Sequence, residues 1–501
     1  MASTEHLPEI RTGLFIDGEA READDALQVA DPADNTSVVG YAAAADAKQA
    51  GDAVAAAARA FPAWAARTPQ ERAELLIAAL APLEAGRAAI AEVLTRENGK
   101  IRMESYIDSI VFEHRFRLAA ALAGELGGVT RLAAPPYRTE ISYLPLGVVT
   151  IIVPFNWPLA ILAASLPQAL LAGNTVVVKP PPTAPLATVR TVEQVARALP
   201  PGVLNVVTGR DAEIGGPLIQ DERVRKVCFT GSVAGGRCVM AMAAESLTRV
   251  ALELGGNDPA IVCADADLGP EAMRRLFSGV FDSTGQICMA AKRVYVHRSR
   301  YDELVEGLSS LLETTRLGHG LDEGVTMGPL HSARQLEYVQ GLVAEALDLG
   351  AEVRMFGGPA EGPTCPGATS CGPPWCCRLP TARVSWLRSS SVPRFRSCRS
   401  TTRTTRWPAP ATRGPGCARR CGPPTSTTPP RSRPGCAPAT PSSTRTGPAT
   451  STSGRRSAAS TRAAWAARWA SRASASSWTP TPSGSPPETS LTQPSTRALG
   501  G

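Results

Sequence analysis

Between Gly147 and Leu349, short apolar runs of strand length alternate with longer runs of helical spacing. This alternation constrains the fold more than any other feature of the chain. Residues 147–153, 175–178, 203–207, 224–229, 250–254, 260–262 and 293–296 read as strands. Helical spacing fills 159–171, 187–199, a stretch after Gly236, 270–283, 300–315 and 334–349, with Pro270 suited to a first helical position. Strands joined by helices run parallel, so the expected class is α/β with a doubly wound sheet. Upstream, 42–97 is Ala- and Leu-rich with helical spacing broken near Pro69, and Asn98-Gly99 reads as a helix stop. Residues 106–126 can continue as helix, and 139–144 alternate like a strand. Phe15-Ile16-Asp17-Gly18 reads as a hairpin with an Asp-Gly turn.

The alternation stops after Gly362, and composition shows why. Residues 366–501 hold 20 Arg and a single acid, Glu488, with no Lys, Asp, Asn, His, Ile or Tyr. That segment carries +19 of a chain total of +7, so residues 1–365 carry −12. It has no apolar period and buries too little apolar surface to offset ordering, so it is expected to be disordered. The chain has 501 residues, room for about three domains, and its 43% hydrophobic content excludes a mini-protein or a wholly disordered chain. Cys228, Cys238, Cys263, Cys288 and Cys365 form no CxxC pair or disulfide framework, which favours a reducing, cytoplasmic setting. Residues 1–10 lack an apolar signal region. The apolar stretch 143–178 is broken by Pro154, Asn156, Pro158, Gln168 and Asn174, so buried strands and a core helix are expected rather than a membrane span. The five His (His6, His114, His297, His319, His331) lack ligand spacing, so no metal site is expected.

Several residues suggest chemistry, each beside a plainer reading. Cys288, in Gly285-Gln286-Ile287-Cys288, is a nucleophile candidate or an inert core thiol. Glu253 sits within the apolar Leu252-Glu253-Leu254-Gly255-Gly256, where burial would raise its pKa; it reads as a strand-end base or an ion-paired carboxylate. Asn156, in Pro154-Phe155-Asn156-Trp157-Pro158, follows a strand's carboxyl end, where open α/β sheets bind ligands; otherwise it is a turn Asn. Phe229-Thr230-Gly231-Ser232-Val233-Ala234-Gly235-Gly236 follows a strand and opens a helix, suited to a phosphate on the helix N-terminus. Lys179 ends a strand and can bond ribose hydroxyls, or else snorkel at the surface.

Together, PFNWP, GNTVVVKP, FTGS, LELGGNDP, GQIC and MGPL, with weaker matches at Phe15-Ile16-Asp17-Gly18 and Glu97-Asn98-Gly99-Lys100, closely resemble the NAD(P)-dependent aldehyde dehydrogenase superfamily from about Leu14 to Gly362. The resemblance implies a Rossmann-like cofactor domain (1–127 and 147–255), part of an oligomerisation arm (128–146), the N-terminal part of an α/β catalytic domain (256–365) and the tail (366–501). It implies a Cys288 nucleophile that forms a thiohemiacetal and then a thioester. Asn156 and the Cys288 N–H would stabilise the oxyanion, and Glu253 would activate water to release a carboxylic acid. Glu253 favours hydrolysis over transfer to coenzyme A. Lys179, Gly231, Ser232, Gly236, Pro154, Phe155 and Leu254 would bind NAD. NADP stays open, because Pro182 stands where the family has a ribose-contacting Glu. Val233-Ala234 also replace the family's usual Thr-Glu. The substrate would be a small-molecule aldehyde, and the assembly a homodimer or homotetramer given an intact C-terminus.

Three downstream family motifs are absent as written: Glu-Glu-x-Phe-Gly-Pro, Gly-Leu-x-Ala-x-Val and Pro-Phe-Gly-Gly. Leu387-Arg388-Ser389-Ser390-Ser391-Val392-Pro393 back-translates to CTG AGG AGC AGT TCG GTC CCG, which one shift reads as Glu-Glu-Gln-Phe-Gly-Pro. The same shift permits Gly-Leu-Arg-Ala-Ser-Val within 408–422 and Pro-Phe-Gly-Gly at 455–459. The tail is therefore expected to be a frameshift product, the slip lying between about 362 and 385. The alternatives are an inactive family remnant, or an Arg-rich tail that binds nucleic acid; with the tail out of frame, no nucleic-acid partner is expected.

Overall fold

A computed structural model of the chain describes residues 8–134 and 137–359 and the backbone of Arg383–Trp386. The three shifted motifs lie outside the described residues. A seven-stranded sheet dominates, in the order Arg249–Leu254, Val224–Gly231, Val148–Ile152, Thr175–Lys179, Leu204–Val206, Leu14–Ile16, Glu19–Arg21. The first five strands run parallel and the last two are the N-terminal hairpin, added antiparallel. Its turn places Asp17 and Gly18 both at positive φ, as a two-residue Asp-Gly turn requires.

Alternate side chains of these strands feed two cores. Val149, Ile151, Val176, Val178 and Val206 pack beneath helices Pro69–Ala78, Leu80–Asn98, Arg102–Ala120 and Leu186–Arg197. Val148, Ile152, Val177 and Val227 pack beneath Ala47–Ala65, Asp211–Ile219 and Val233–Glu245. Strands buried on both faces read as continuous apolar runs, which is why 148–153 and 175–178 are legible in the sequence. Beyond Gly256 the strands Asp258–Val262 and Ala291–Val296 form a separate parallel pair, with helices Pro270–Phe281 and Tyr301–Glu313 beside it. Arg383–Trp386 pairs antiparallel with Glu352–Met355.

Some expectations need correction. Residues 42–44 close the long strand Asp34–Ala44 instead of opening a helix; burial of these alanines in a three-stranded sheet overrides their helical preference. The helix expected after Gly236 begins at Val233, because the Ser232 hydroxyl caps it and draws both glycines into the first turns. The stretch 159–171 is two short helices, Pro158–Leu162 and Leu166–Leu171, the second opened by Pro167. The strand expected over 139–144 runs from Tyr137–Ile141, paired with Thr130–Ala134. Helix Asp211–Ile219 is hidden in the sequence because Gly215, Gly216 and Pro217 resemble breakers.

Candidate active site

The strand order reverses between Val148–Ile152 and Val224–Gly231. Outside the carboxyl ends of such neighbours lies the crevice in which open α/β sheets bind ligands. Pro154 to Pro158 follow the first of these strands, and Gly231 and Ser232 end the second. Lys179 closes its own strand, and Glu253 and Leu254 pair in register with Thr230 and Gly231. The sheet thus gathers every one of these sequence candidates along one edge.

The Pro154 to Pro158 loop rests on buried polar groups. Helix Leu80–Asn98 ends at Gly99, whose φ of 92° suits glycine, and the chain reverses there. The reversal aims Asn98 Nδ2 at the Phe155 carbonyl (2.6 Å) and Lys100 Nζ at the Asn156 carbonyl (3.2 Å). Lys100 also pairs with Asp108 at 2.7 Å, both side chains at most 1% exposed, and its Nζ lies 4.2 Å from the centroid of the Trp157 ring. Asp108 additionally accepts from the Ala160 N–H. Burial raises the Asp108 carboxyl above its ordinary range, and the Lys100 charge opposes that. Glu97 accepts from the Leu186 and Ala187 N–H groups at the start of the Leu186–Arg197 helix. Burial nevertheless pushes its pKa up to about 8. His331 stacks on Phe155 at 4.1 Å between centroids. Its Nδ1 lies 3.2 Å from the Asn98 carbonyl, which can only accept, so Nδ1 is the protonated nitrogen and Nε2 accepts from the Thr183 hydroxyl. Burial lowers the imidazole pKa to about 4, which keeps it neutral.

The Cys288 segment is tied to this loop. Asn156 Nδ2 donates to the Gln286 carbonyl at 2.7 Å, while its Oδ1 is buried without a partner. An amide carries two N–H groups, so one remains for a ligand. Gly256 N donates to the Cys288 carbonyl at 3.2 Å, which joins the Glu253 strand end to the thiol segment. Just upstream, Ser283, Thr284 and Gly285 take left-handed backbone angles. Non-glycine residues in that region are strained unless their surroundings hold them. Here Glu104 accepts from the Ser283 N–H at 2.6 Å, the Thr284 hydroxyl donates to the Gly328 carbonyl, and Gln286 Oε1 accepts from the His331 N–H. Cys288 and Glu253 are both exposed. The buried environment expected for Glu253 is therefore absent, because Glu253 lies next to the end of the outermost strand of the sheet among the described residues.

At the glycines expected to bind the cofactor, side chains of this protein fill the space beside the backbone. A Cβ on Gly231 would lie 2.6 Å from the Phe229 ring, and one on Gly236 would lie 2.6 Å from Leu254 Cδ2. Gly236 thus permits close helix–strand packing, Gly231 leaves room for the Phe229 ring of its own strand, and the backbone N–H groups that open helix Val233–Glu245 are the part suited to an anion. Lys179 is no snorkelling surface residue: its side chain is 3% exposed and pairs with Asp211 at 2.5 Å. Asp108, Asp211, Glu97, Glu104, His331 and Lys100 join the site although their sequence motifs do not mark them as members. Glu97-Asn98-Gly99-Lys100 stands out only as a helix stop and a weak match. Nothing local distinguishes Asp108 from a solvated helix residue.

The aldehyde dehydrogenase family model matches residues 19–368, ending close to the compositional break at Pro366. The mitochondrial aldehyde dehydrogenase of Leishmania tarentolae is 38% identical over 330 residues, 65% of this chain and 66% of that protein. Phenylacetaldehyde dehydrogenase of Pseudomonas fluorescens is 36% identical, covering 61% of this chain and 62% of that protein. The chain thus spans just under two thirds of the length of these curated relatives. Among solved structures, lactaldehyde dehydrogenase of Escherichia coli superposes with a TM-score of 0.67 at 32% identity, covering 70% of this chain and 74% of that one. A betaine aldehyde dehydrogenase from Staphylococcus aureus, solved with NAD+, gives 0.65 at 30% identity, covering 68% and 70%. On the match of its motifs, its sheet and most of its length, this chain belongs to the aldehyde dehydrogenase family.

Proposed function

We propose that this chain encodes an NAD(P)-dependent enzyme that oxidises an aldehyde to a carboxylic acid. The observation that carries the reading is the junction at the carboxyl edge of the sheet. There Asn156 Nδ2 bonds the Gln286 carbonyl two residues from Cys288, and Gly256 N bonds the Cys288 carbonyl three residues from Glu253. The Cys288 thiolate attacks the aldehyde carbon, forming a C–S bond and a thiohemiacetal oxyanion. The free N–H of Asn156 and the backbone N–H of Cys288 stabilise that oxyanion. A nicotinamide held at this edge would supply the acceptor for the hydride leaving the same carbon, and Cys288 then holds the acyl group as a thioester. Glu253, exposed and able to reach solvent water, takes a proton from the water that attacks the thioester. The carboxylic acid leaves and the thiol is regenerated.

The residues suit a dinucleotide. The N–H groups opening helix Val233–Glu245 are placed for its phosphates, and Lys179 and Asp211 together suit ribose hydroxyls. Pro154, Phe155 and Leu254 would wall the site. We read 1–127 with 147–255 as the cofactor domain, and 256–365 as the start of the catalytic domain. In 128–146, Tyr137, Tyr143 and Leu144 are largely exposed, which suits an arm that pairs with another subunit. Cys228, Cys238, Cys263 and Cys288 are all free thiols, in keeping with a reducing cytoplasm. Among the described residues no helix is long and apolar enough to cross a membrane.

We further read residues 366–501 as out of frame, supported by the family match ending at 368. The full activity then belongs to the chain with its frame restored. Resequencing the gene tests this, and an unbroken frame encoding the written tail would refute it. The test of function is aldehyde-dependent NADH or NADPH formation by the restored chain, abolished by Cys288→Ala. Turnover that survives that substitution refutes the mechanism.

A further inference from the structure

The scheme above gives Asp211 no more than a general fit to ribose, yet its placement is unusual. Lys179 ends the Thr175–Lys179 strand with its side chain 3% exposed, while its partner Asp211 is 78% exposed and opens helix Asp211–Ile219. A buried ammonium and a solvent-facing carboxylate therefore meet 2.5 Å apart outside the carboxyl ends of adjacent parallel strands. That is where this sheet type presents groups to a nucleotide ribose. A vicinal diol suits such a pair: hydroxyl hydrogens go to the carboxylate, and hydroxyl oxygens accept from the ammonium. A phosphate on the same diol adds about −1.5 to −2 charges and meets the Asp211 carboxylate head on.

Apart from Lys179, whose charge Asp211 already offsets, the surroundings offer such a phosphate little relief. Arg210, the neighbouring cation, already donates through Nη1 to Asp25 Oδ2. Pro180, Pro181 and Pro182, which follow Lys179, contribute neither N–H groups nor charge. Resting on the NAD(P) reading, we propose that Asp211 is the residue that selects NAD over NADP. It accepts a hydrogen bond from the adenosine 2′-hydroxyl beside Lys179 and repels a 2′-phosphate.

The test is direct binding to the full chain, which does not depend on turnover. NADH and NADPH are titrated by fluorescence, and AMP and 2′,5′-ADP by calorimetry. The wild type should bind NADH at least tenfold more tightly than NADPH, and AMP more tightly than 2′,5′-ADP. Asp211→Asn, which keeps an oxygen for Lys179, should bring the two reduced cofactors to within about threefold, mainly by strengthening NADPH. Asp211→Glu should retain the preference. A wild type that favours NADPH, or 2′,5′-ADP over AMP, overturns the proposal without any variant. So does an Asp211→Asn protein with an unchanged circular dichroism spectrum and an unchanged ratio. If neither dinucleotide binds the wild type, the cofactor reading itself falls, so the two failures are distinguishable.

Discussion

The strands Val148–Ile152 and Asp258–Val262 have the same length and each runs parallel to a neighbour, yet their surroundings differ throughout. Every side chain of the first is buried, while of the second only Val262 is. Ile261 is 74% exposed, and Tyr295 on the paired strand is half exposed. Parallel strands are ordinarily covered on both faces, because their connections place helices there. The sheet before Gly256 meets that condition. The pair after it rests on a small cluster of Val262, Met273, Leu304 and Leu308. The difference teaches where the stability of the described residues resides: in the seven-stranded body, with the cysteine segment held to it by hydrogen bonds rather than by a large described core of its own.

The severest challenge to this contrast is Lys100→Met. Removing one member of a buried ion pair leaves Asp108 uncompensated and should cost about 3–5 kcal/mol in denaturant unfolding. Lys100→Met with Asp108→Leu should recover much of that loss. A single substitution costing under about 1 kcal/mol would show that the loop's support lies elsewhere.

Core truncations sharpen the comparison next. Leu162→Ala, in the body, should cost about 2–5 kcal/mol. Ile261→Ala, on the exposed strand, should cost under about 0.5 kcal/mol. Comparable losses by calorimetry would mean the second region carries a hidden core.

His331 belongs to the second region but stacks in the first, and its titration links them. Its folded pKa of about 4 lies below the ordinary 6.5, so the folded state binds fewer protons between those values. Its contribution is present above pH 6.5 and lost as pH falls through 4, about 3 kcal/mol by pH 4. Urea unfolding at pH 7 and pH 4 should show that loss in the wild type, and His331→Gln should remove its share. The smallest expected effect is at the cap of helix Val233–Glu245. Ser232→Ala should cost about 1 kcal/mol and weaken dinucleotide binding little, since the N–H groups remain.

Much of this is legible in the chain itself. Val148–Ile152 and Thr175–Lys179 announce themselves as apolar runs because both faces are buried. Asn156, Lys179, Glu253 and Cys288 stand at strand ends or in loops, where a polar residue beside an apolar run is conspicuous. Asp34–Ala44 is hidden because its alanines fit helix and strand alike. Asp108 and Glu104 are hidden because helical periodicity cannot tell a carboxylate facing solvent from one facing a buried ammonium or a backbone N–H. Asp211 can be found only once the fold has brought position 211 beside position 179.

The bonds that shape the site also set a schedule. Asn156 reaches Gln286 across 130 positions, Glu104 reaches Ser283 across 179, and His331 reaches Asn98 across 233. A ribosome adding about 5–20 residues per second needs roughly 10–50 seconds after Lys100 to deliver His331. Until then the Phe155 face lacks its imidazole, and the turn from Ser283 to Gly285 lacks the Gly328 and His331 bonds that help hold it. The Cys288 segment is therefore delivered only after every strand of the seven-stranded sheet, and the bonds that fix its turn come later still.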